Sequence, residues 1–119
     1  MKYNELVVWQ KSMDLVTEIY KFTATFPSEE RFGLSSQARR AAVSIPSNIA
    51  EGHGRKSTGA YINHLSIAYG SLMELETQLQ IAARLCFIQE DNAVTLLRQM
   101  DEVGKMLTGL KKSLSQKSD

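Results

Sequence analysis

Apolar side chains recur three and four positions apart along most of this chain, and nowhere do they alternate with polar ones in the period of two that a strand needs. The spacing predicts four helices. Helix 1 runs from about Glu5 to Phe26, with Asn4 as its N-cap and Pro27 as its stop. After the loop from Pro27 to Gly33, helix 2 begins at Ser35 or Ser36 and ends in the cluster Gly52-His53-Gly54. Helix 3 starts after Ser57 or Thr58, either a suitable N-cap, and continues to about Leu85. Helix 4 occupies roughly Glu90 to Leu114, with Glu90 and Asp91 in the first turn, where carboxylates favour the helix dipole. The tail over residues 115–119 is expected to fray.

Turning each segment by about 100° per residue sorts its faces. Helix 1 gathers Trp9, Met13, Val16 and Tyr20 beside Val8, Leu15, Ile19, Phe22 and Phe26, an unusually broad apolar arc that reads as core packing before ligand pocket. Leu65, Tyr69, Leu72 and Leu79 make one stripe on helix 3; Leu96, Met100, Val103, Leu107, Leu110 and Leu114 make another on helix 4. The inward arc of helix 2 is mostly small, with Ala38, Ala41, Ala42, Ile45 and Gly52, and predicts a close approach to its neighbour. Pro46 interrupts that helix, removes the backbone bond to the Ala42 carbonyl and is expected to kink it. The fold class that follows is all-α: an antiparallel up-and-down four-helix bundle, with residues 1–119 as a single domain.

Two further features go beyond a simple bundle. The side of helix 3 opposite its core stripe carries Ile67, Gly70, Ile81, Leu85 and Ile88, and the outer side of helix 2 carries Val43, Pro46 and Ala50. Helices apolar on two sides meet another subunit or sit centrally, so self-association through Val43, Ala50, Ile67, Ile81 and Leu85 is expected. Asn48 and Glu76 both fall within inward arcs, where a carboxylate needs donors. A buried polar cluster of Asn48 and Glu76 helped by Arg40 or Tyr69 is the expectation, with a register-fixing role.

Composition narrows the chemistry. With 119 residues, 43% of them hydrophobic, the chain can bury one core, and a formal net charge of +1 denies it the whole-molecule attraction of a strongly basic nucleic-acid binder. Any such binding must come from a local patch. No apolar run is long enough to cross a bilayer and the first residues lack the apolar stretch of a signal peptide, so no membrane role and a cytoplasmic location are expected. Cys86 is the only cysteine, which excludes an internal disulfide and thiolate-rich zinc sites, and it reads as a small core hydrophobe. A di-metal bundle site would need Glu-x-x-His, which is absent, and no Gly-x-Ser-x-Gly elbow appears. His64, off the inward stripe, reads as solvated. No metal, no cofactor and no catalytic residue is expected.

The stretch from Gly52 to Thr58 lacks the phosphate-loop spacing. Its Arg55 and Lys56 before the start of helix 3 suit an anion such as a nucleic-acid phosphate, or else form a solvated connection; Arg39 and Arg40 can extend the patch, unless Arg40 serves the buried carboxylate instead.

Two blocks carry a family resemblance. They are Ser36-Gln37-Ala38-Arg39-Arg40-Ala41-Ala42-Val43-Ser44-Ile45-Pro46-Ser47-Asn48-Ile49-Ala50-Glu51-Gly52-His53-Gly54-Arg55 and Ile67-Ala68-Tyr69-Gly70-Ser71-Leu72-Met73-Glu74-Leu75-Glu76-Thr77-Gln78-Leu79. Through them the chain resembles the four-helix-bundle proteins encoded in intervening sequences of bacterial 23S ribosomal RNA genes, with weaker similarity over roughly Tyr3 to Leu114. The architecture is also similar to that of the accessory variability determinant of diversity-generating retroelements, which associates with a reverse transcriptase and nucleic acid. The resemblance implies an up-and-down bundle assembling as a homo-oligomer, a pentameric ring. By analogy it implies RNA or DNA binding. Two functions stay open: a nucleic-acid-binding oligomer using Arg39, Arg55 and Lys56, or a scaffold whose exposed helices dock another protein.

Overall fold

In the computed structural model, which describes residues 1–117, a 3₁₀ turn over Tyr3–Glu5 leads into α1 (Val7–Thr23) and a second turn over Ser28–Glu30 leads into α2 (Leu34–His53). These are followed by α3 (Thr58–Arg84) and α4 (Glu90–Lys117). Short connections make consecutive helices antiparallel, and each packs on two neighbours in the cyclic order α1, α2, α3, α4, with α2 against α3 the most extensive contact. The all-α four-helix bundle expected from the periodicity is the fold observed.

The buried positions of α1 are Val8, Ser12, Leu15, Ile19 and Thr23, and those of α4 include Ala93, Leu96, Met100, Val103 and Leu107. Steps of three and four residues keep one seam facing inward in each helix. Against them lie Ala38, Ala42, Ile45 and Ile49 of α2 and Leu65, Leu72, Leu75 and Leu79 of α3, in one continuous core. Ser12 and Thr23 are tolerated inside because each hydroxyl donates to a carbonyl of its own helix, Trp9 O at 2.8 Å and Ile19 O at 2.6 Å.

Several boundaries and environments differ from expectation. Asn4 lies within the first 3₁₀ turn, and Leu6 stands at the N-cap of α1. Ser57 does cap α3, its hydroxyl accepting from the Ala60 N–H at 3.1 Å. Where fraying was expected, α4 continues to Lys117, while Ser118 and Asp119 lie outside the described residues. Pro46 sits inside α2, which continues on both sides, and its own side chain is buried.

Cys86 is exposed, with φ at 61°. It terminates α3: the Cys86 N–H donates to Ala83 O at 3.1 Å and the Phe87 N–H to Ala82 O at 2.9 Å, the paired bonds of a Schellman ending. That geometry turns the thiol away from the core and brings Phe87 against Phe26 and Ile88 inside.

Candidate nucleic-acid interface

The α1–α2 corner is shaped by its turn chemistry. Pro27 follows the end of α1, and the Glu30 carboxylate accepts the Leu34 N–H at 3.0 Å, closing the loop onto the first turn of α2. Gly33 lies under that carboxylate, where a Cβ would come within 3.0 Å of Glu30 Oε1. Between these fixed points Arg31 and Phe32 project outward, and Phe32 is 87% exposed. The Arg31 guanidinium lies over the Phe32 ring, 5.3 Å from its centroid.

Arg39, one turn into α2, bridges the helices. Its Nε donates to Thr23 Oγ1 at 2.8 Å, its Nη2 donates to Tyr20 O at 3.2 Å, and its guanidinium covers the Tyr20 ring at 4.5 Å from the centroid. Together with Arg31, Phe32, Arg40 and Ser36, these side chains border an open groove of about 570 Å³, whose lining is completed by Val43 and Ser44. No carboxylate lines it. Three guanidinium groups therefore share one concave surface with two aromatic rings, and Ser36 places the N-terminal end of α2, favourable to anions, beside them.

The patch anticipated from the sequence is divided. Arg39 lies at one end of α2, whereas Arg55 and Lys56 follow its other end, about 24 Å along the axis at 1.5 Å per residue. Arg55 pairs with Glu51 at 3.4 Å, and Lys56 is exposed. Arg31, Phe32, Tyr20 and Ser36 were missed as site residues. The available signal was an arginine beside a phenylalanine in a loop that precedes Arg39 and Arg40 by less than three turns of helix.

The expected cluster of Arg40, Asn48, Tyr69 and Glu76 is not assembled. Antiparallel register sets Ser44 against Ser71, their hydroxyls 2.8 Å apart, and Asn48 against His64. Asn48 Nδ2 donates to Ser44 O and Ser44 Oγ, so its Oδ1 is the acceptor that receives the His64 Nδ1–H at 3.0 Å. His64 Nε2 then faces Glu51 Oε2 at 3.5 Å, and the ring, only 14% exposed, is not the solvated histidine expected. Glu76 lies twelve residues farther along α3, about 120° around its axis, on the side turned to α4. There it borders a groove of about 350 Å³ with Tyr69, Asp101 and Lys105, while Arg40 belongs to the arginine groove. Asn48, Tyr69 and Glu76 thus surround no common pocket.

The α2–α3 approach is as close as the small residues predict. A Cβ on Gly52 would fall 2.7 Å from His64 Cβ and 3.0 Å from the Tyr61 ring. Burial there pushes the Tyr61 hydroxyl above its ordinary pKa of 10.0, because the phenolate would lose hydration. The residues expected at a subunit contact are on the surface: Val43, Ile67, Ile81 and Leu85 are exposed and Ala50 is half-buried. Val43 and Ala50 also border an apolar groove of about 320 Å³ with Tyr3, Trp9, Met13, Val16 and Pro46. Among the described residues, no three His, Cys, Asp or Glu side chains are placed to hold a metal ion, and no helix is long and apolar enough to cross a membrane.

The model of the 23S rRNA-intervening sequence protein family matches residues 4–109. Among solved structures, a protein of unknown function from the S23 ribosomal protein family of Bacteroides thetaiotaomicron VPI-5482 is similar at 29% identity and a TM-score of 0.84, over 94% of this chain and 99% of that one. No curated protein matches the chain.

Proposed function

The chain belongs to the 23S rRNA-intervening sequence protein family, and from that premise we propose that it is a non-catalytic homo-oligomer that binds RNA or other nucleic acid through the arginine groove at the α1–α2 corner. The observation that carries the reading is the grouping of Arg31, Arg39 and Arg40 with Tyr20 and Phe32 around one groove without a carboxylate. Guanidinium groups match phosphate oxygens, and exposed rings offer area to bases. A net charge of only +1 makes that local concentration of cations the main electrostatic attraction for a polyanion.

Self-association is supported by Ile67 and Ile81 on α3 with Leu85 at its C-cap, and by the apolar groove running from Trp9 and Met13 to Val43 and Ala50, two separate exposed surfaces. Two unlike surfaces suit a head-to-tail ring, for which five copies is the proposed number. The same apolar groove is the feature that favours the second reading, a scaffold docking another protein.

Fluorescence anisotropy with labelled RNA and single-stranded DNA tests the first proposal. Binding is expected at low salt and should weaken steeply as salt rises. The paired substitution Arg31→Glu and Arg40→Glu should abolish it, and Lys56→Glu should change it little. Absence of binding at low salt would overturn the reading in favour of the scaffold. Sedimentation should give a species of five times the 13.3 kDa protomer, and Ile81→Glu should dissociate it; a wild-type species at the protomer mass would contradict the ring.

A further inference from the structure

Resting on the nucleic-acid reading above, we infer that the groove takes unpaired bases of a single strand, stacked on Phe32 and Tyr20, and does not read a duplex. Each ring is already covered on one face by an arginine, Phe32 by Arg31 at 5.3 Å and Tyr20 by Arg39 at 4.5 Å. Phe32 at 87% and Tyr20 at 43% exposure still offer ring area that a base can cover. Phe32 has no role in the core, being 87% exposed, and the backbone that carries it is held in place. Its loop is pinned on one side by the Glu30 contact to the Leu34 N–H and on the other by the turn over Ser28–Glu30. With its loop already ordered, binding costs only the freedom of the side chain itself.

The groove's volume of about 570 Å³ falls within the roughly 300–1,000 Å³ of sites that hold small organic groups. In a duplex the base faces are stacked on one another and closed to side-chain rings, whereas in a single strand they are open. Arg40, exposed at the same groove, is left to meet the phosphate that follows the stacked base. Stacking is indifferent to base identity, so the ligand class is a single-stranded segment, RNA or DNA, with little sequence preference.

The test compares three labelled probes of equal total phosphate number: an oligoadenylate, an abasic phosphodiester strand of the same length, and a hairpin duplex whose two arms together carry that number. The oligoadenylate is expected to bind about tenfold more tightly, or better, than the abasic strand. Phe32→Ala should remove most of that difference between the two strands, and Phe32→Trp should restore it; circular dichroism of each variant should match the wild type. Tyr20→Leu gives an independent reduction in the same direction. Equal affinity for base-bearing and abasic strands, or tighter binding of the duplex, would overturn the stacking inference while the nucleic-acid reading stands. Failure of all three probes to bind would overturn both.

Discussion

The α2–α3 seam and the α1–α2 corner both gather polar side chains of α2 and use them in opposite ways. Along the seam, Ser44, Asn48, His64 and Ser71 face one another, and the two hydroxyls, the Asn48 amide and the His64 Nδ1–H are answered from within the chain. At the corner, Arg31, Arg40 and Phe32 are exposed and turned outward, and only Arg39 is tied back, to Thr23 and Tyr20. A polar group with an internal partner specifies packing. A cation on a concave surface without a carboxylate still has its strongest partner to find.

The largest effect that would break this contrast is at Gly52. In an ordinary helix interior, replacing Gly by a residue with a side chain gains stability or loses little. Here Gly52→Val should lower the unfolding free energy by about 3 kcal/mol in urea titrations, because the added Cβ meets His64 Cβ at 2.7 Å. Asn48→Ala should cost about 1–2 kcal/mol by the same measurement, since it leaves the His64 Nδ1–H without its acceptor. At the corner the expected stability change is small: Arg31→Ser combined with Arg40→Ser should stay within about 0.5 kcal/mol of wild type. A larger loss would make those arginines structural and erase the difference between the two regions.

The smallest effect is a matter of pH. Burial raises the native pKa of Tyr61, so the unfolded chain ionises first, near the ordinary value of 10.0. The associated stability is fully present below that pH and is lost as pH rises from there through the raised native value. Tyr61→Phe should therefore show a shallower alkaline loss than wild type in thermal melts, and identical slopes would contradict the burial of this hydroxyl.

Much of the fold was legible because its causes are local. Three-and-four spacing placed Val8, Leu15 and Ile19 of α1 and the seam of α4 inward, Ser57 capped α3, and the small residues of α2 announced its close approach to α3. The arc read for α1 was too broad: Met13 and Tyr20, counted with the core, are exposed, because the inward seam runs through Ser12 and Thr23 instead. Register was not legible. Asn48 and Glu76 both fall on inward arcs, but which turns of two antiparallel helices lie level depends on the connection between them, and the level partner of Asn48 is His64. His64 was misread for the same reason, since its burial comes from α2 passing over it at Gly52 and not from any apolar neighbour on its own helix. Cys86 was misplaced because its apolar character suits a core while its position just past α3 imposes a left-handed backbone that turns it outward. The candidate site was half visible. Arg39 was identified, but its grouping with Arg31 and Phe32 arises only when the α1–α2 loop folds back onto the start of α2.

Photocrosslinking resolves the central claim most directly. Irradiating the assembled protein with a single-stranded RNA carrying photoreactive bases, followed by peptide mass spectrometry, should place the crosslinks within residues 20–44, with Phe32 and Tyr20 foremost. Crosslinks concentrated instead at Arg55 and Lys56 or along the Tyr69–Glu76 groove would assign recognition to another surface and contradict the account.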